Sequence, residues 1–205
     1  SITVNNAGTY TVTQTLNGCI SDAGSGVAAP KAAPAKPVVT VVDNCDGTST
    51  LTAINYTGTL LWSTNETSSS ITVSNAGTYT VTQTLNGCIS DAGSGIASPK
   101  TAPTSVISGN AIICAGTSTT ISIALTGTQP WSLTYTDGTT PMTVNNITAS
   151  PYTFTVTPSS SKTYTVTALS DATCTANAGD KTGAASVSVN AAFTTSVSIA
   201  SSATN

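Results

Sequence analysis

The chain has 205 residues but only thirteen charged side chains: five Lys, seven Asp and Glu66, with no Arg or His and a net charge of −3. That excludes binding to nucleic acid or to an anionic membrane through phosphate contacts, which needs arrays of Lys and Arg, and no apolar run approaches the ~20 residues that span a bilayer. Thr and Ser number 71 and alternate with Val, Ile, Tyr and Leu; disordered chains are instead rich in charge and poor in β-branched residues, so the composition reads as a folded β-protein.

Residues 1–34 (SITVNNAGTYTVTQTLNGCISDAGSGVAAPKAAP) recur as residues 70–103, with four differences in 34 positions and a constant offset of 69. The second copy is preceded by a front half, Ala35 to Ser69, that the first lacks. This predicts the back half of a module over 1–34, a complete module over 35–103, and a longer complete module over 104–190. A linker and the opening strand of a further module are expected over 191–205. A window on a longer array accounts for half-modules at both ends, and for the lack of a leader pattern. Strand exchange between chains is the alternative.

In chain order, Tyr10, Val12, Gln14 and Leu16 share one parity and are expected to face a core. The Asn17-Gly18 pair after them is a strong two-residue hairpin signal. In the next module Leu51 and Ala53 mark a strand that Ile54 and Tyr56 continue with a slip of parity. Leu60-Leu61-Trp62 reads as a short, fully buried strand. Tyr79, Val81, Gln83 and Leu85 repeat the inward set, with Thr78, Thr80, Thr82 and Thr84 facing water and Asn86-Gly87 turning the chain. In the third module the inward faces are Ile121, Ile123 and Leu125; Trp131, Leu133 and Tyr135, closed by Asp137-Gly138; Tyr152, Phe154 and Val156; and Tyr164, Val166 and Ala168. Short strands at regular spacing with turn signals between them predict an all-β fold of tandem immunoglobulin-like sandwiches. Trp62 and Trp131 fall at the core tryptophan of the third strand. Tyr79 and Tyr164, near the start of the penultimate strand, suit a tyrosine corner. All four are read as core aromatics rather than a sugar-stacking platform. The Pro-containing linkers (Ala33 to Pro37, Ala102 to Ser105) stiffen the connections, so the modules are expected end to end as a rod.

The cysteines are Cys19, Cys45, Cys88, Cys114 and Cys174. Cys19 is the repeat equivalent of Cys88, so its partner is expected outside the chain, which leaves one pair per complete module. With no His and no close Cys pair, zinc is disfavoured and structural disulfides in an extracellular setting are expected. One pair per module favours Cys45 with Cys88 and Cys114 with Cys174. In a regular topology, however, these positions lie near opposite ends of a sandwich ~25 Å long, and a disulfide needs Cα atoms within ~7 Å. The rival is a staple between neighbours, Cys45 with Cys174.

Asp43-Asn44-Cys45-Asp46-Gly47 has carboxylates enough for a calcium loop but lacks the wider ligand spacing, so it is read as a tight turn and no metal or cofactor is expected. Asn55, Asn65 and Asn146 stand in Asn-X-Thr sequons. Without His, and with one Glu, no general base is placed for catalysis. The five lysines (Lys31, Lys36, Lys100, Lys162, Lys181) fall in apparent loops, away from any isopeptide arrangement. On the alternative that a module binds a glycan or a partner protein, the Pro- and Thr-rich loops of the third module from Thr126 to Pro158 are the expected place.

The segments WSTNETSSSITVSNAGTYTVTQTLNGC, ICAGTSTTISIALTG and PWSLTYTDGTTP resemble the tandem immunoglobulin-like and PKD-like repeats of large secreted surface proteins of Bacteroidota, some of them adhesins exported by the type IX route. The resemblance spans nearly the whole chain, with Asn-Gly-Cys at Cys88 and Cys-Ala-Gly at Cys114 its most specific parts. It implies a cell-surface, non-catalytic stalk or filament segment whose partners are neighbouring modules of the same long chain, and it carries no ligand-binding residue. An accessory module of a secreted hydrolase is a further alternative.

Overall fold

The computed structural model describes residues 1–191; the opening strand expected beyond residue 191 lies outside them. Within 1–34, β1 (Gly8–Val12) pairs with β4 (Gly24–Ala28) and β2 (Thr15–Leu16) with β3 (Cys19–Ile20), all antiparallel. The next module runs β5 (Val38–Asp43), β6 (Ser49–Ile54), β7 (Thr59–Trp62), β8 (Ser70–Val73), β9 (Gly77–Leu85), β10 (Cys88–Ile89) and β11 (Gly93–Ala97). One sheet has the order β5-β6-β8; the facing sheet is built on β9, flanked by β7, β10 and β11. The third module contains β12 (Ser105–Ser108), β13 (Ala111–Cys114), β14 (Thr119–Leu125), β15 (Trp131–Thr136), β16 (Pro141–Ile147), β17 (Tyr152–Val156), β18 (Lys162–Ser170), β19 (Lys181–Thr182) and β20 (Ala185–Asn190), with a 3-10 turn at Ala178–Asp180. Its sheets have the orders β17-β14-β12-β19 and β13-β20-β18-β15-β16. The first strand is divided between them: β12 pairs antiparallel with β14, and β13 parallel with β20. Two facing sheets that are mainly antiparallel, with inward residues alternating along each strand, make these immunoglobulin-like β-sandwiches.

The chain forms two compact units, Ser1–Val42 with Thr50–Ala97, and Asp43–Ser49 with the chain from Ser98 onward. The division departs from the sequence boundary at residue 103 because the 43–49 loop bonds to the 98–102 strip. Gly47 N–H donates to Lys100 O (2.7 Å), Lys100 N–H to Asn44 O (3.1 Å) and Ala102 N–H to Cys45 O (2.9 Å).

Leu51, Leu60, Trp62, Ile71 and Val81 form the core of the 35–97 sandwich, and the Trp62 indole N–H donates to Ser68 O at 2.8 Å. The Tyr79 hydroxyl donates to Asn75 O four residues upstream at 3.1 Å, the bond of a tyrosine corner. Leu60-Leu61-Trp62 is not buried throughout: Leu61 is 51% exposed between two buried neighbours, because β7 keeps strict alternation. The strand over Leu51 and Ala53 does not slip and continue either. Asn55 at φ 58° ends it and leaves Ile54 outside. In the third module Trp131, Leu133, Tyr135 and Tyr164 are buried with Ile121 and Ile123. Ala168, expected inside, is exposed and Leu169 takes its place. The β15–β18 register shifts between Thr134 and Tyr135, and one extra residue in a strand reverses the parity beyond it.

The first copy of the repeat behaves differently from the second. Val12 is 73% exposed where Val81 is 1%, and Ile2 is 77% exposed where Ile71 is 4%. Gln14 and Leu16 are exposed as well, so the inward face expected for this copy faces no core among the described residues. The same sequence SITV is strand β8 at 70–73 and unpaired at 1–4. The nine-residue β9 corresponds to β1 and β2 with a break at Thr13-Gln14. β8 lies beside β6 in its sheet, and β9 is held by β7 over Val81–Thr84. Nothing in 1–34 replaces either.

Gln83 is the clearest such contact. Its Oε1 accepts the N–H groups of Thr57 and Gly58, both at 2.9 Å, and its Nε2 donates to Ala35 O at 2.6 Å. Gln83→Ala leaves two N–H groups without their acceptor, at 1–3 kcal/mol each, and is expected to destabilise the 35–97 sandwich by about 2–5 kcal/mol. Gln14→Ala, at the equivalent exposed site, is expected to stay within about 0.5 kcal/mol. Urea unfolding followed by Trp62 fluorescence in a Trp131→Phe background measures both.

Candidate functional site: a disulfide-anchored loop and the third sandwich

Cys45 is bonded to Cys174, with Cα atoms 5.8 Å apart and a sequence separation of 129; Cys19, Cys88 and Cys114 are free thiols. The pairing within modules, Cys45 with Cys88 and Cys114 with Cys174, is overturned in favour of the staple. The reason is the one that counted against it: the two cysteines of one module sit at opposite ends of its strands, whereas the 43–49 loop reaches a cysteine of the following repeat.

Short carboxylate turns on both sides hold the bond. Asp46 Oδ1 accepts the Thr48 N–H at 3.0 Å and the Thr48 hydroxyl at 2.6 Å, and Gly47 supplies the φ of +85° between them. Asp171 Oδ1 accepts the N–H groups of Thr173 and Cys174, both at 2.7 Å, and its Oδ2 takes the Thr128 N–H at 2.9 Å. Asp137 repeats the pattern with Thr139, accepting its N–H at 2.9 Å and its hydroxyl at 2.7 Å. Asp-X-Thr thus occurs three times as the same turn. This regularity was present in the sequence at 46–48, 137–139 and 171–173, and Asp171 is the functional residue that sequence reasoning passed over. The Asp43 carboxylate, bonded by the Ser49 hydroxyl at 2.6 Å and the Ser98 N–H at 2.9 Å, closes the base of the loop.

Asp43 and Asp46 therefore serve their own turns, and no group of three metal-ligating side chains occurs among the described residues. The three sequon asparagines all adopt left-handed backbone, with φ of 58°, 72° and 58° at Asn55, Asn65 and Asn146, a conformation that asparagine tolerates better than most residues.

The stretch from Thr126 to Pro158 is not a set of long loops, since β15, β16 and β17 occupy most of it. Those strands border an open cleft of about 470 Å³ lined by Tyr135, Asp137, Met142, Val156, Lys162 and Tyr164. Lys162, which opens β18 rather than lying in a loop, pairs with Asp137 at 3.0 Å. Phe154 stacks on Tyr135 with centroids 4.2 Å apart and meets Tyr164 edge-on at 6.4 Å. Trp131 is 7% exposed and its indole N–H donates to Thr126 O at 2.9 Å. These rings fill the sandwich. Burial, with the Asp137 charge nearby, raises the Tyr164 hydroxyl above its usual range.

No family model matches the chain, and no curated protein matches it either. Among solved structures it is similar to a three-immunoglobulin-domain titin fragment carrying Glu-to-Ala mutations, at 15% identity and TM-score 0.45, covering 77% of this chain and 62% of that one. An I-band fragment of titin matches at 12% identity and TM-score 0.45, over 94% and 77% of the two chains. The N-terminal four immunoglobulin domains of Dscam1 match at 10% identity and TM-score 0.30, over 90% and 42%. The fold assignment rests on the strand order described above.

In the chain-entropy description a bond closing 129 residues stabilises by about 5 kcal/mol. Cys45→Ser is expected to cost about 2–5 kcal/mol in the unit that contains Cys174, measured by urea unfolding. Acid should act on the same turns. The Ser49 hydroxyl and then the Ser98 N–H hold Asp43 below the usual carboxylate range. At Asp171 burial works upward, but the N–H groups of Thr128, Thr173 and Cys174 outweigh it and the net shift is down. Carboxylates depressed in the folded state stabilise it fully above their unfolded pKa of about 4, and that contribution is lost as pH falls toward the folded value. The unfolding midpoint should therefore drop below about pH 4, and by less in Asp43→Asn.

Proposed function

We propose that the chain is a load-bearing spacer from an extracellular bacterial surface protein, a stalk or filament segment whose sandwiches follow one another as a rod. The observation that carries this reading is the Cys45–Cys174 bond, which joins the front loop of one sequence repeat to the back half of the next. Tension applied outside residues 45 and 174 passes through the covalent link, so the residues between them are not stretched. Near-identity of the two 34-residue copies agrees with a spacer, for which reach matters more than distinct loops. A disulfide also suits an oxidising, extracellular compartment. The resemblance to Bacteroidota repeats supports surface display and type IX export of the parent protein.

The open cleft beside the Asp137–Lys162 pair supports a second reading, a glycan- or protein-binding module. Saturable binding of the chain on a glycan array, lost in Lys162→Ala, would favour it over a pure spacer.

Single-molecule pulling from the two ends decides the mechanical reading. Reduction should release the 129-residue segment, adding roughly 45 nm of contour length at ~3.6 Å per residue. Equal contour lengths with and without reductant would remove the load-bearing role. Small-angle scattering tests the rod, and a compact particle would count against it.

A further inference from the structure

The third sandwich is one strand short along one side. Phe154 of β17 stacks on Tyr135 of β15 with centroids 4.2 Å apart, so β17, at the edge of its sheet, lies over β15. β16 is the next strand outward in the facing sheet, and no strand lies over it. Met142 shows the consequence. It stands cross-strand from buried Tyr135, as Val144 does from buried Leu133, so both point between the sheets, yet Met142 is 51% exposed. The gap belongs to the module itself, because the chain passes from β16 to β17 through residues 148–151 with no strand between them. Two hollows follow one another along it. The cleft of about 470 Å³ separates Met142 from Val156, and a further one of about 340 Å³ separates Val144 from Tyr152.

The two strands that border the gap have different edges. β16 carries a bulge, where its register with β15 shifts between Trp131 and Leu133 and Asn146 turns to φ 58°; a bulge blunts an edge against further pairing. β17 pairs with β14 without a shift from Tyr152 to Val156. It contains neither charge nor proline, and no strand lies beside its outer edge. Such an edge is a template for one more strand.

The walls decide what fits. A second sandwich joining through its own β17 would bring its β15 and β16 into the space that β16 already holds. A single extended strand would lie over β16, ~10 Å away as in stacked sheets, with alternate side chains directed at Met142 and Val144. No charged side chain occurs from Gly138 to Ser161, and Asp137 and Lys162 pair with each other at the end of the gap. A charge carried inward by the strand would therefore lose its water without gaining a partner.

We propose that the gap between β16 and β17 is a docking site for an extended, uncharged segment of another polypeptide, apolar at every second residue, which adds to the free edge of β17. This rests on the second reading above and names a protein strand, not a glycan, as the ligand. β14 displays the chemistry that β17 accepts on its other edge, since residues 119–123 pair with it antiparallel and set Ile121 opposite Phe154.

The test titrates a fluorescein-labelled peptide of residues 119–125, Thr-Thr-Ile-Ser-Ile-Ala-Leu, into the full chain and follows hydrogen exchange in the complex. One peptide should bind per chain, and the amides of 152–156 should gain protection. Met142→Asp, at an exposed position and checked for folding by circular dichroism, should weaken binding by about tenfold or more. The peptide carrying Ile121→Pro, which loses an N–H and breaks the ladder, should not bind; this arm leaves the chain untouched. Absence of binding, protection confined to other segments, or undiminished binding to Met142→Asp overturns the proposal. So does native mass spectrometry that shows two chains joined with 152–156 protected and no peptide present. Glycan binding lost in Lys162→Ala, without peptide binding, removes this inference and leaves the second reading; binding of neither removes both.

Discussion

A β-sheet with one apolar face holds its strands only when a second sheet covers that face, and the two copies of the 34-residue repeat isolate this constraint. Their inward residues are identical, and β1–β4 keeps the register of β9–β11, Gly8 opposite Ala28 and Gly77 opposite Ala97. What differs is the cover. Burying a Val or Ile side chain is worth about 1.5–3 kcal/mol, and the second copy gains this at Val81 and Ile71 where the first, at Val12 and Ile2, does not. The local hairpin at Asn17-Gly18 survives without cover, because Asn17 at φ 51° and Gly18 at φ 82° set the turn by themselves. Among the described residues no strand forms at 1–4 and β1 and β2 are separated at Thr13-Gln14, where the second copy has β6 and β7 as neighbours.

A chain with so few charges must satisfy its polar groups by other means, and here the means are threonines and short carboxylate turns. Thr134 and Thr143 bond across β15 and β16 through their hydroxyls at 2.9 Å, while Asp46, Asp137 and Asp171 each fold back on a threonine two residues on. The same turns that spare the protein a larger charge complement also position Cys45 and Cys174. Local hydrogen bonding thereby prepares a covalent link between residues 129 positions apart.

The fold class, the hairpin turns, the inward residues of the complete sandwiches and the places of Trp62, Trp131 and Tyr79 were legible in the sequence, since each follows from a two-residue alternation or a turn dipeptide acting locally. The exceptions have local causes that alternation does not encode. Asn55 turns left-handed and ends a strand, an extra residue in β18 moves Leu169 inside in place of Ala168, and β16 organises a stretch that read as loop. The partner of Cys45 and the exposure of Val12 were decided only by the tertiary structure. The first depends on which loop reaches which strand end, and the second on whether another segment lies against the face. Neither is a property of the residue or of its neighbours along the chain.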